Sequence, residues 1–199
     1  MLLELSGDAP DRPAGYDGAL RMLHWSTALL IGVNVALGLY SSTLARASAW
    51  RQVVLGYHKS FGLLLIVITL LRLGRRLYAP VPPAPAQSKP WEIVAARLGH
   101  GLLYAVLLAM PLSGVLWAEG GAREVSFFNL FTLPQVISQQ PGAPFTQQPY
   151  YKLGKFLHEN VFQWALYAAL ALHMAGVFKH QILDGNRRFL SRMWGWPAR

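Results

Sequence analysis

The chain has 199 residues, 53% of them hydrophobic and only 14% charged, where a soluble domain carries about 25% charged residues, so the composition is that of a membrane protein. Its formal charge of +9 does not point to nucleic acid, because the basic residues cluster between apolar stretches and form no stripe with interleaved aromatics. The absence of cysteine excludes disulfides, thiolate metal sites, iron–sulfur clusters and covalent haem attachment.

A spanning helix needs about 20 mostly apolar residues, and four segments meet that length. The first covers 20–44 and contains His24 and Asn34. Ala47-Ser48-Ala49 would pass as a signal-peptide cleavage site. However, the apolar stretch exceeds the usual ~7–15 residues and the tail before it is acidic, so an uncleaved helix is expected. The second segment, 53–77, contains His58, Lys59 and Arg72. A proline-rich connector over 79–90 follows, expected to be extended and semi-rigid. The third segment, 91–118, carries Arg97, His100 and Pro111, and the proline predicts a kink. A loop over 119–153 is rich in Gln, Pro and Phe, and its Phe127-Phe128-Asn129-Leu130-Phe131 stretch suits the membrane interface. The fourth segment, 154–183, holds His158, Glu159, His173 and His180. The expected fold class is all-α, an integral membrane four-helix bundle forming one domain over residues 1–199.

Lys and Arg set the orientation. The connector region (Arg72, Arg75, Arg76, Lys89, Arg97) and the C-terminal region (Lys179, Arg187, Arg188, Arg192, Arg199) are expected to be cytoplasmic. Four spans then place the N-terminus on the same side. The opposite side still carries Arg46, Arg51, Lys59, Arg123, Lys152 and Lys155, partly offset by Glu119, Glu124 and Glu159.

All six histidines lie in or beside the apolar segments. An ionisable group in hydrocarbon is costly without a partner and marks function by default. His24 falls near the inner end of helix one, while His58 and His158 fall near the outer ends of helices two and four. His173 lies 15 residues beyond His158, roughly 22 Å deeper at 1.5 Å per residue. Two pairs follow, His24 with His173 inside and His58 with His158 outside. Each could clamp a haem iron axially, the two haems stacked across the bilayer. Fifteen residues leave an angular offset of about 60°, so both ligands on helix four can face one interior. Arg21, Lys59, Arg72 and Lys155 are within reach of haem propionates. The plain alternative is that each histidine is a satisfied polar residue at the interface. A zinc or di-metal site is less suited, since only Glu159 adds an adjacent carboxylate. His100 and His180 could bind quinone, carry protons or sit at the interface.

These residues resemble the bacterial cytochrome b561 family along most of the chain, from Tyr16 to Met193. The resemblance is carried by Tyr16 with Leu23-His24-Trp25 and by Gly56-Tyr57-His58-Lys59-Ser60-Phe61-Gly62. It continues through Leu70-Leu71-Arg72-Leu73, Leu98-Gly99-His100 with Tyr104, and Pro111-Leu112-Ser113-Gly114. It ends with His158-Glu159, His173, Lys179-His180 and Leu190-Ser191-Arg192-Met193. The resemblance implies two b-type haems ligated by His24, His58, His158 and His173. It also implies that His158 and His173 stand one residue further apart here than in the family, which predicts a bulge or a shifted register in helix four.

Small stand-alone members of that family look like superoxide oxidases, which pass electrons from superoxide through the haems to ubiquinone. A positively lined cleft would raise the local concentration of a small anion. Arg46, Arg51, Lys59, Lys152 and Lys155 on the outer side could form such a funnel, or simply contact headgroups. Lys59, Trp164, His100 and His180 are the candidates for the quinone or proton site. The expected partners are membrane lipid, quinone and superoxide, with a redox protein partner in the alternative reading of an electron-transfer subunit serving a dehydrogenase or hydrogenase. A haem-free transporter or scaffold is the remaining rival. The expected location is the bacterial inner membrane.

Overall fold

The computed structural model describes residues 15–80, 82–84, 88–185 and 190–194. Arg187, Arg188 and Arg199, position 81 and positions 85–87 of the connector, and most of the acidic tail lie outside the described residues. Helix α1 (Gly18–Thr43) starts at Asp17, whose carboxylate accepts the Leu20 N–H at 3.1 Å. Helix α2 spans Ala49–Tyr78. Helix α3 (Pro90–Gly120) opens with proline in its first turn, and the buried Glu92 carboxylate reaches back to the Lys89 N–H at 2.9 Å. Helix α4 (Pro149–Leu183) contains two π-helical turns, Leu157–Phe162 and Lys179–Leu183. A short helix α5 (Ser191–Trp194) follows.

Helices α1 to α4 are all long and apolar enough to cross a bilayer. They pack in sequence, α1 on α2, α2 on α3 and α3 on α4. One core layer at mid-height holds Ile31, Leu65, Val106, Leu107 and Leu166, so every helix contributes. Leu29, Leu70, Leu71, Leu172 and Met174 point outward, each more than half exposed, as a lipid solvent requires. The bundle is thus an integral membrane four-helix bundle. We call its two faces the loop end, which carries the α1–α2 turn and the segment from 121 to 148, and the termini end.

A regular interior stripe runs down each helix. Residues seven apart drift only about 20° around a helix and so share a face. On α1 the stripe is His24, Ile31, Gly38; on α2, His58, Leu65, Arg72; on α3, His100, Leu107, Gly114. The α4 stripe, His158, Leu166, His173, contains one residue too many. The π turn at Leu157–Phe162 absorbs it, because i→i+5 bonding loops out a residue without breaking the helix. The predicted bulge is therefore present, and α4 keeps the same 14-step separation of its two ends as its neighbours.

Glycines let α3 and α4 meet backbone to backbone at the loop end. A Cβ on Gly154 would collide with the Trp117 main chain, and one on Gly120 with that of Tyr150 and Tyr151. One sequence expectation changes here: Glu119 is not loop but buried helix, its carboxylate accepting the Val136 N–H at 3.2 Å. The aromatic stretch forms a hairpin, β1 (Ser126–Phe127) on β2 (Phe131–Thr132), turned through Phe128 and Asn129 at positive φ. Ser60 on α2 pins it by accepting the Phe128 N–H at 2.8 Å and donating to the Ser126 carbonyl at 3.1 Å. Helix α3 runs unbroken through the buried Pro111.

Candidate functional site

The interior stripes deliver different side chains to the two ends. At the loop end they place Gly38, His58, Gly114 and His158; at the termini end, His24, Arg72, His100 and His173.

At the loop end the His58 and His158 rings face each other with centroids 6.1 Å apart. His58 Nδ1 lies 3.0 Å from the Asn34 carbonyl, and His158 Nδ1 lies 3.0 Å from the Met110 carbonyl. A carbonyl can only accept, so both Nδ1 atoms carry the proton and both Nε2 atoms are left free for a metal. Ser113 adds to this by donating to the Met110 carbonyl at 2.7 Å while its oxygen sits 3.1 Å from His158 Nδ1. One turn beyond each accepting carbonyl stands a glycine. A Cβ on Gly38 would come within 3.0 Å of the His58 ring, and one on Gly114 within 3.1 Å of the His158 ring. The same carbonyl-plus-glycine cradle is thus built twice, on α1 for α2's histidine and on α3 for α4's.

At the termini end the His24 and His173 centroids are 6.3 Å apart. No such cradle is seen there among the described residues, where His24 Nδ1 is buried with no hydrogen-bond partner. His100 approaches His173 edge-on at 5.6 Å and sends its Nδ1 proton to the Ala96 carbonyl at 2.6 Å.

Both separations fit an iron held between imidazoles. A metal–nitrogen bond of about 2.0 Å plus about 1.1 Å from nitrogen to ring centre gives centroids about 6 Å apart on opposite sides of one metal. Among the described residues no three or more His, Asp or Glu side chains gather as a metal site. Two-ligand sites suit a metal whose remaining ligands come from a macrocycle.

The other sequence candidates do not converge on one place. Trp164 sits on the outer surface of α4, 64% exposed, with its ring against Tyr167. Lys59 lies at the loop end, where its Nζ donates to the Glu124 carbonyl. His100 and His180 are at the termini end, and His180 Nδ1 lies 2.9 Å from the Asp184 carboxylate. These four therefore do not form a single quinone or proton site. Of the basic residues, Arg51 donates to the Ser41 carbonyl at 3.1 Å and Lys155 pairs with Glu159 at 3.7 Å, while Arg46 and Lys152 are exposed. Sequence reading left Arg123 out of the funnel. Its guanidinium lies over the rings of Trp117 and Tyr151, at 5.3 and 5.4 Å, within charge-interaction range of Arg51 and Lys59. The Arg123 N–H closes α3 on the Ala118 carbonyl at 2.9 Å, with Ala122 at φ 51°, so the helix stop itself aims this residue. The Gly120-Gly121 pair ahead of it was the available signal.

The profile of the prokaryotic cytochrome b561 family matches residues 15–196. Cytochrome b561 homolog 2 of Escherichia coli (strain K12) is 29% identical over 185 residues, covering 92% of this chain and 93% of that protein. Cytochrome b562 of Cereibacter sphaeroides is 37% identical over 116 residues, 54% of this chain and 70% of that protein. A protein named probable superoxide oxidase CybB, from Yersinia pestis, is 26% identical over 108 residues, 50% of this chain and 57% of that protein.

Proposed function

The chain belongs to the prokaryotic cytochrome b561 family, a family of membrane electron-transfer proteins carrying haem b, and on that premise we propose that it oxidises superoxide and reduces ubiquinone. In this reading His58 and His158 hold one haem iron and His24 and His173 a second. The observation that carries it is the pair of facing imidazole couples, one at each end of the bundle, with separations that suit an iron.

Bound haem b would supply one-electron chemistry. The residues do the remaining work. Asn34 and Met110 carbonyls fix the tautomer and ring plane of the loop-end histidines. Arg51, Lys59 and Arg123 draw a small anion towards that end and favour its encounter over that of neutral solutes. The reaction balances as two superoxide ions plus ubiquinone plus two protons giving two dioxygen molecules and ubiquinol. Lys59 stands beside His58 and His100 beside His173, so each end offers one polar side chain for a quinone headgroup. The basic residues at the termini end support a reading in which that end faces the cytoplasm.

Rapid mixing of the oxidised holoprotein with superoxide, with ubiquinone present, tests this reading. Reduction of the b-type bands and formation of ubiquinol at rates near encounter are expected. A normal two-haem spectrum that ignores superoxide would instead favour an electron-transfer subunit serving a dehydrogenase or hydrogenase. One observation supports that second reading: the relative matched over nearly its whole length is named only as a cytochrome, while the superoxide oxidase is matched over about half.

A further inference from the structure

Arg72 is a cation inside the membrane-spanning part of the bundle with no carboxylate paired to it among the described residues. It occupies the α2 interior stripe, two heptads from His58, which puts it about 21 Å away along the helix and level with the His24–His173 couple. Its charge is within interaction range of His24, His100 and His173 together. Its guanidinium lies over the Tyr104 ring at 5.4 Å. Every described carboxylate at this end is engaged elsewhere: Asp17 with Arg75 at 3.4 Å, and Glu92 and Asp184 with Lys179, both at 2.8 Å.

An intramembrane guanidinium is costly to desolvate and is retained where it meets a charge of opposite sign. Its planar fork matches a carboxylate in two parallel bonds. We infer that Arg72 holds a propionate of the haem between His24 and His173, making it a cofactor anchor that also sets that haem's potential. The inference rests on the haem reading above and adds to it a residue, a group and an asymmetry. No cation occupies the four interior positions at the loop end, where the charge within range of His58 is Lys59, beside the stripe and bonded to the Glu124 carbonyl, so the two haems stand in different fields. A fixed positive charge stabilises the reduced state over the oxidised one, so the haem near Arg72 is the one whose potential is raised.

The test uses full-length holoprotein loaded with haem carrying 13C in its propionate carboxyls. Redox titration and redox-difference infrared spectra are recorded for wild type, Arg72→Gln, Arg72→Lys and Arg97→Gln, the last an exposed cation at the same end. In Arg72→Gln one of the two potentials should fall and the label-sensitive carboxylate bands should shift. Arg72→Lys, which keeps the charge but loses the fork, should shift the bands with a smaller change in potential. Arg97→Gln should change neither. Should Arg72→Gln fail to load haem, the bands of Arg72→Lys decide. Bands identical to wild type in whichever Arg72 variant loads haem would overturn the inference. Wild type that binds no haem would instead defeat the functional reading beneath it.

Discussion

The two ends of the bundle hold similar imidazole couples in dissimilar surroundings. At the loop end each histidine donates Nδ1–H to a carbonyl on the neighbouring helix, with a glycine one turn on making room for the ring. At the termini end His24 Nδ1 has no partner among the described residues, and the positions taken by glycines at the other end hold His24 itself and His100. Arg72 supplies the charge there. A rigid backbone cradle fixes orientation and tautomer before any cofactor arrives. A ring without such bonds depends on the bound group and its charged neighbours for orientation. The contrast separates an imidazole couple oriented by backbone geometry from one set beside a charge.

The strongest challenge to this contrast is removal of a ligand. His58→Ala and His158→Ala should each lose one haem per chain, as should His24→Ala and His173→Ala, read as haem-to-protein ratio. If the ends are independent, each variant keeps the b-type spectrum of the other couple. Loss of both haems on any single substitution would show that the couples fold as one unit.

Filling a cradle should have the next largest effect. Gly38→Val or Gly114→Val forces branched carbons against an imidazole and should cost about 1–3 kcal/mol, read as thermal stability together with a broadened loop-end haem band. Gly32→Val, with open space around it, should leave the spectrum alone. A smaller loss is expected from Ser113→Ala, which removes a hydroxyl touching both His158 and the carbonyl it bonds. Retention of the loop-end haem should weaken by roughly tenfold, the lower range for such supporting residues.

The smallest effect belongs to pH. A hydrogen bond from Lys179 holds the Asp184 carboxyl below the usual carboxylate range. A lowered folded-state pKa contributes stability above the unfolded value of about 3.9 and loses it as pH falls through the folded one. Asp184→Asn should therefore be slightly less stable than wild type from pH 5 to 8, with the gap closing only below about pH 4. A gap that closes between pH 6 and 7 would point to a histidine.

Much of this was legible in the residues. Apolar runs of spanning length gave four helices, and residue spacing alone put His24 level with His173 and His58 level with His158, because rise per residue is fixed by the backbone. The bulge was implied only by the resemblance, in which the two histidines of helix four stand one residue closer, and the π turn at Leu157–Phe162 accommodates it. Helix limits were less legible. Helix α2 starts at Ala49 and α4 at Pro149, four and five residues before the apolar runs begin, since polar first turns extend into the interface.

Chain order and hydropathy thus determined which side chains sit at which depth. Tertiary structure alone decided who faces whom across helices. That Gly38 serves His58 and Gly114 serves His158, that the α3 stop carries Arg123 over two rings, and that Arg72 lies over the Tyr104 ring all depend on helix rotation and interhelical packing. Those quantities arise from contacts between residues far apart in the chain, and no local pattern encodes them.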